Sequence, residues 1–245
     1  NSHIAEVREL LPEIETIEAD PRFINPHKLI REVSLACEPS DTLVTCSSGG
    51  TFTATLQSVF IAKGQKLLSN KGLASMGYGL AGAIGASLAE PKKRVVLFEG
   101  DGGFAQNLQE LGTVAINQLN LKVFVFDNDG YASIRSTQKR LLEGNYLGCD
   151  NASGLGMPNW IQVIEAFGVR VLQLNPQTPL DEEFQSLFSD SKPACFIVRC
   201  NPAYEYVPKV MSRKDDSGVI TSDPLHKMWP PLSDETAQRV LKYLS

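Results

Sequence analysis

Two apolar runs, each closed by a polar turn rich in glycine and side-chain oxygens, constrain this chain more than any other feature. Arg94-Val95-Val96-Leu97-Phe98 leads into Gly100-Asp101-Gly102-Gly103. Leu121-Lys122-Val123-Phe124-Val125-Phe126 leads into Asp127-Asn128-Asp129-Gly130-Tyr131. Apart from single basic residues, both runs are apolar instead of alternating, the mark of strands covered on both faces. Residues 104–118 between them read as a helix. In a parallel sheet such a crossover is right-handed and brings both strand ends to one edge. Asp101 and Asn128 are therefore expected as neighbours. A carboxylate and an amide oxygen beside glycine-rich turns suit a hard cation carrying a diphosphate. A helix starting near Phe104 would aim its N–H groups at the same edge, where the Gly102 and Gly103 amides would meet that diphosphate.

The same pattern repeats along the chain. Strands are expected near 42–45, 66–68, 94–99, 121–127, 169–174 and 195–200, with helical patterns at 26–37, 53–62, 76–88, 104–118, 160–166 and 180–187. Strand and helix alternate, so the fold class is α/β: a doubly wound, mainly parallel six-stranded sheet with helices on both faces. Residues 1–25 are charged and read as a linker or arm from a preceding domain, and 26–200 as the α/β domain. Residues 201–245 hold five prolines and read as a wrapping tail with a final helix near 234–244.

Composition narrows the class. With 245 residues, 42% hydrophobic and 21% charged, the chain is long enough for a sizeable core. A net charge of −5 with no basic stripe argues against a nucleic-acid partner. No apolar stretch approaches the roughly 20 residues of a membrane span. The five cysteines lack metal-ligand spacing; Cys46, Cys195 and Cys200 lie in or beside apolar runs as small buried hydrophobes. That usage implies a reducing cytoplasm. His27 and His226 are isolated and expected at the surface or in the tail.

One motif is a decoy. Gly77-Tyr78-Gly79-Leu80-Ala81-Gly82 fits G-x-G-x-x-G, yet the loop-like 69–75 precedes it where a dinucleotide fingerprint needs a strand. The small residues at helical spacing instead allow close packing of helix on sheet.

Gly100-Asp101-Gly102, followed at this separation by Asn128, resembles the signature of thiamine-diphosphate enzymes. Gly72-Leu73-Ala74-Ser75-Met76-Gly77-Tyr78-Gly79 resembles the segment that holds the aminopyrimidine in the same enzymes, and residues 104–111 the helix after their Gly-Asp-Gly. From about Pro26 to Pro231 the chain is similar to the C-terminal cofactor domain of acetolactate-synthase-like enzymes. The resemblance implies thiamine diphosphate and Mg²⁺ as cofactors. It makes Asp101, Asn128 and the Gly130 carbonyl the metal ligands. It assigns Gly49, Gly50 and Thr51 to a second diphosphate turn, although Ser47-Ser48-Gly49-Gly50-Thr51 also reads as a plain loop. Gly100, Gly102, Gly103, Tyr131, Ala132 and Ser133 complete the cofactor contacts. Met76 matches the residue that wedges beneath the cofactor and bends it, where an unaided reading would put core packing. The Ala74 carbonyl would accept from the 4′-amino group.

The implied reaction is decarboxylation of a 2-oxo acid such as pyruvate and transfer of the two-carbon unit to a carbonyl acceptor. Two alternatives stay open: a 2-oxo acid decarboxylase without ligation, and a cofactor-binding fragment inactive on its own. Ile134 is apolar, as in carboligating members, where some simple decarboxylases carry an acid. Thr137 stands where branched-chain acetohydroxyacid synthases tend to carry tryptophan. Arg135 is either a substrate-carboxylate ligand or a structural arginine, and Gln138 is a candidate pocket residue. Asp127 stands where the family more often has asparagine. The family's activating glutamate comes from an N-terminal pyrimidine-binding domain, usually on a second subunit. No residue here matches it; Glu6, Glu9 and Glu13 lie in the arm. The chain therefore reads as part of a larger or split enzyme that works as a homo-oligomer.

Overall fold

The computed structural model describes residues 2–11, 20–214 and 216–242. Residues 1 and 12–19, Glu13 among them, lie outside the described residues, as do 215 and 243–245. The first elements are α1 (Ser2–Leu10), α2 (Pro26–Leu35), β1 (Thr42–Thr45), α3 (Gly49–Ser58), β2 (Lys66–Leu68) and α4 (Tyr78–Ala89). Next come β3 (Val95–Gly100), α5 (Asp101–Phe104), α6 (Leu111–Ile116), β4 (Leu121–Asp127) and α7 (Ala132–Leu141). Then follow α8 (Trp160–Ala166), β5 (Arg170–Gln173), α9 (Glu182–Ser189), β6 (Ala194–Arg199), β7 (Ser212–Lys214), β8 (Ile220–Ser222) and α10 (Asp234–Val240).

Two units divide the chain: Ala19–Tyr204, and Asn1–Glu18 with Glu205–Ser245. In the larger one, six strands pair in the order β2-β1-β3-β4-β6-β5, every pair parallel. The first crossover leaves β1 on one side and the chain then returns to β3 on the other. That reversal opens a crevice outside the carboxyl ends of β1 and β3, where open α/β sheets bind ligands.

The core explains why the central runs are apolar throughout. One face of the sheet carries Val44, Leu97, Val123, Val125 and Ile197, which pack with Leu80 and Ala83 of α4, Val114 of α6 and Ile164 of α8. The other face carries Phe98, Phe124 and Phe196 side by side on β3, β4 and β6, in direct register. The Phe124 and Phe196 rings stack at 4.8 Å, and Phe184 and Phe188 of α9 close over them. Burial on both faces supplies the hydrophobic drive that a half-exposed strand would lack. The small residues of α4 serve contact: a Cβ on Gly79 would lie within 3.2 Å of the Leu97 side chain of β3.

In the smaller unit, β7 and β8 form an antiparallel hairpin, and Glu6 of α1 accepts from Arg239 (3.1 Å), within the last turn of α10, and from Lys242 (2.9 Å), just beyond it. The hairpin was not legible in the proline-rich tail.

Four expectations need correction. The helix expected over 104–118 is broken into α5, a 3₁₀ turn at Leu108–Glu110, and α6. Asn107 leaves the helical region (φ −137°) and its side chain donates to the Gly77 carbonyl at 2.9 Å. The donors beside Asp101 thus belong to a single turn and not to a long helix. α3 starts at Gly49, so the glycine turn expected before a helix over 53–62 is the helix's own first turn. Residues 132–141, not read as a helix, form α7. His27 is 3% exposed, not a surface residue: its ring lies 2.7 Å from the Tyr204 hydroxyl and 2.8 Å from Gln57 Oε1.

Candidate cofactor site

β3 and β4 run in register to Gly100 opposite Phe126, so the turns that follow them emerge side by side. Asp101, 2% exposed, ties them together. Its Oδ1 accepts the Gly102 amide at 2.7 Å; its Oδ2 accepts the Asn128 amide at 3.1 Å and the Gly130 amide at 2.9 Å. Burial pushes the Asp101 carboxyl well above the usual carboxylate range, against these three amide donors, which favour the ionised form. Three of about four lone-pair positions are taken, which leaves Oδ1 able to face a cation.

The second turn is held from outside. Asp129 (φ 63°) and Gly130 (φ 122°) both adopt positive φ, and a Cβ on Gly130 would sit 2.5 Å from the Cys149 carbonyl oxygen. Only glycine fits there. The Gly130 carbonyl accepts the Ala132 amide at 3.0 Å, and the Tyr131 amide donates to Cys149 at 2.9 Å. Arg199, in register with Asp127, donates to Asp127 Oδ2 at 2.5 Å and Asp129 Oδ1 at 3.1 Å. These two carboxylates hold the guanidinium charged, and it in turn offsets the extra acid at position 127.

A cavity of about 210 Å³ opens between the turns, lined by residues 46–51, Met76, 99–103, Asn128 and 130–134. Most of the expected cofactor residues fall on its wall: Gly49, Gly50, Thr51, Met76, Gly100, Asp101, Gly102, Gly103, Asn128, Gly130, Tyr131, Ala132, Ser133 and the candidate substrate residue Ile134. Met76 is 44% exposed, so it is not core packing. The Tyr131 ring lies over Gly102, where any Cβ would run into it, and its hydroxyl accepts from Gln106 at 3.1 Å.

Three expected residues are placed elsewhere. Ala74 (φ 53°) is not among the lining residues. Arg135 donates through Nη2 to the Asn128 carbonyl (2.9 Å) and the Pro202 carbonyl (3.0 Å), and pairs with Asp150 at 3.6 Å. It buttresses the turn after β4 from behind. Gln138 clamps the backbone of Leu147 at 3.0 Å in both directions.

Others escaped the sequence reading. Glu99 lines the cavity at 2% exposure, and burial pushes its carboxyl up to about 8. Its Oε1 accepts the Gly100 amide at 3.1 Å. A lone acid ending an apolar strand was the available signal. Cys46 and Ser47 also lie on the wall, where burial raises the Cys46 thiol far above its ordinary value. Among the described residues no group of three or more His, Cys, Asp or Glu side chains is placed to hold a metal. One carboxylate and neutral oxygens are a set a hard cation accepts only with further oxygens from a ligand.

The family profile of the thiamine pyrophosphate enzyme C-terminal TPP binding domain matches residues 48–198. The chain is 27% identical over 208 residues to the acetolactate synthase large subunit of Cyanidium caldarium, covering 84% of this chain and 34% of that protein. It is 30% identical over 193 residues to the acetolactate synthase isozyme 1 large subunit of Escherichia coli (strain K12), covering 78% and 34%. The chain thus spans about a third of the length of these relatives. A solved structure, the Rhodococcus jostii RHA1 thiamine diphosphate-dependent 4-hydroxybenzoylformate decarboxylase, superposes with a TM-score of 0.68 at 21% identity. That match covers 80% of this chain and 36% of the other, and shows a shared fold.

Proposed function

The chain belongs to the thiamine pyrophosphate enzymes, as the C-terminal TPP-binding domain of their acetolactate-synthase-like members, and from that premise we propose that it is the diphosphate- and Mg²⁺-holding part of an enzyme that decarboxylates a 2-oxo acid such as pyruvate and passes the two-carbon unit to a carbonyl acceptor. The observation that carries this reading is the Asp101 carboxylate accepting amide N–H groups from both Asn128 and Gly130, which joins the two turns into one oxygen-lined rim.

The residues fit the cofactor. Asp101, the Asn128 side chain and the Gly130 carbonyl would hold the metal. The first-turn amides of α3 at Gly49, Gly50 and Thr51 would face the diphosphate, together with the amide of Gly103. A Cβ on Gly49 would meet nothing within 4 Å, so space stands open before that helix. Met76 and Tyr131, both on the cavity wall and both against Gly102, would set the cofactor's shape and keep water from it. When bound, thiamine diphosphate supplies the electron sink that loss of CO₂ requires. Ile134 puts an apolar side chain where an acid would deliver a proton, which supports transfer to an acceptor over simple release of an aldehyde.

A cavity of about 210 Å³ is smaller than the roughly 300–1,000 Å³ typical of ligand pockets. That supports a second wall from an N-terminal pyrimidine-binding domain or second subunit carrying the activating glutamate, within a homo-oligomer. Leu73, 81% exposed in the segment that leads to Met76, offers apolar surface for it. No described helix is long and apolar enough to cross a membrane. The unpaired cysteines support a cytoplasmic location. Product analysis of the complete enzyme with pyruvate, thiamine diphosphate and Mg²⁺ tests the reading. An acyloin or acetohydroxy acid is expected; aldehyde as sole product would remove the transfer step.

A further inference from the structure

Ser47 stands between the end of β1 and the first turn of α3. It lines the cavity, is 2% exposed, and its hydroxyl oxygen is buried with no hydrogen-bond partner. Native proteins seldom leave a buried hydroxyl unpaired, because it loses its water contacts with nothing in return. The helix behind it is also open. α3 has ten residues, its N-cap Ser48 makes no side-chain cap hydrogen bond, and Gly49 turns with φ 84°. The first-turn amides are therefore not taken by a side-chain cap. The lining includes no Lys, Arg or His. An anion on this wall is held by hydroxyls, amides and a metal ion alone, so each neutral donor counts.

We propose that the Ser47 hydroxyl donates a hydrogen bond to the diphosphate of bound thiamine diphosphate, acting with the first-turn amides of α3 across the cavity from the Asp101–Asn128 turn. The inference rests on the cofactor reading above and adds to it a residue outside the two glycine turns. A neutral donor facing a phosphate oxygen makes a charge-assisted bond, stronger than the neutral pairs that hold the fold. The hydroxyl is thus a burden to the ligand-free chain and an asset to the loaded one.

That asymmetry separates a ligand contact from a structural one. In the 245-residue chain, Ser47→Ala should leave the ligand-free melting temperature unchanged or raised. Calorimetric titration with thiamine diphosphate in saturating MgCl₂ should show its Kd weakened by about ten- to a hundredfold. Ser47→Thr should restore most of the affinity. A fall in ligand-free melting temperature with unchanged Kd would make the hydroxyl structural and overturn the proposal. Wild-type binding with an equal Kd in Ser47→Ala overturns this inference alone. A wild-type chain that takes up no thiamine diphosphate overturns the cofactor reading and this inference together.

Discussion

Asp101 holds two loops and is asked to hold a cation as well. Its carboxylate accepts three backbone amides, so it is structural before any metal arrives. Its burial opposes ionisation, and a bound cation would favour it. Asp101→Ala should abolish Mg²⁺-dependent cofactor binding. It should also lower the stability of the ligand-free chain by about 1–3 kcal/mol, because buried amides lose their acceptor. Calorimetry and urea unfolding measure the two effects; unchanged affinity in the variant would rule the metal site out. Glu99 shows the opposite assignment of charge. Burial pushes its carboxyl up to about 8, which favours the neutral form and limits the negative charge it adds to the cavity wall. Arg199 does the same for Asp127 and Asp129 by pairing with them.

At the scale of elements, α2 and α3 are pinned by one histidine. The His27 ring meets Gln57 near the end of α3 and the hydroxyl of Tyr204, which also lies 3.2 Å from the Asn25 side-chain oxygen. Asn25 caps α2 by accepting the Lys28 amide at 3.1 Å. Burial lowers the His27 pKa below its ordinary value near 6.5. The folded chain then declines a proton that the unfolded chain takes, so this contribution is present above about pH 6.5 and is lost as pH falls below it. The stability advantage of wild type over His27→Gln should therefore shrink between pH 7 and pH 5, read by urea unfolding at each pH. An advantage independent of pH would show that His27 is not buried as a neutral ring. The order of helices matters as much as their number. α3 takes Gly49, Gly50 and Thr51 into its first turn because it begins at Gly49, soon after β1, and α5 is a single turn because Asn107 leaves the helix to bond Gly77.

For the whole molecule, the reversal of strand order between β1 and β3 sets where the crevice opens. Both glycine turns and the turn after β4 follow parallel strands, so all three fall at one sheet edge, beside that crevice. The Phe98-Phe124-Phe196 row supports those ends, with Phe124 at its centre against rings on β3, β6 and α9. A rim held this firmly suits positioning, and positioning is what the protein contributes when a cofactor performs the reaction. The chain alone, given pyruvate, thiamine diphosphate and Mg²⁺, should bind the cofactor and show no turnover until a polypeptide with the activating glutamate is added. Measurable turnover by the isolated chain would contradict the need for a second wall.

What the sequence determined by itself was whatever depends on neighbours along the chain or on a rule of handedness. Unbroken apolar runs specify strands buried on both faces, glycine with Asp or Asn specifies the turns, and one right-handed crossover brings Asp101 to Asn128. Sequence resemblance then supplied the cofactor. Only the tertiary structure decided which polar groups are already spent. Arg135, a candidate substrate ligand, is committed to two carbonyls and an aspartate; Gln138 clamps Leu147; His27 is buried; Arg199 and Glu99 set the charge of the rim; Ser47 is left with no partner. The physical reason is that a side chain's hydrogen-bond capacity and its solvation are fixed by residues distant in sequence, and no local pattern records which of them will arrive.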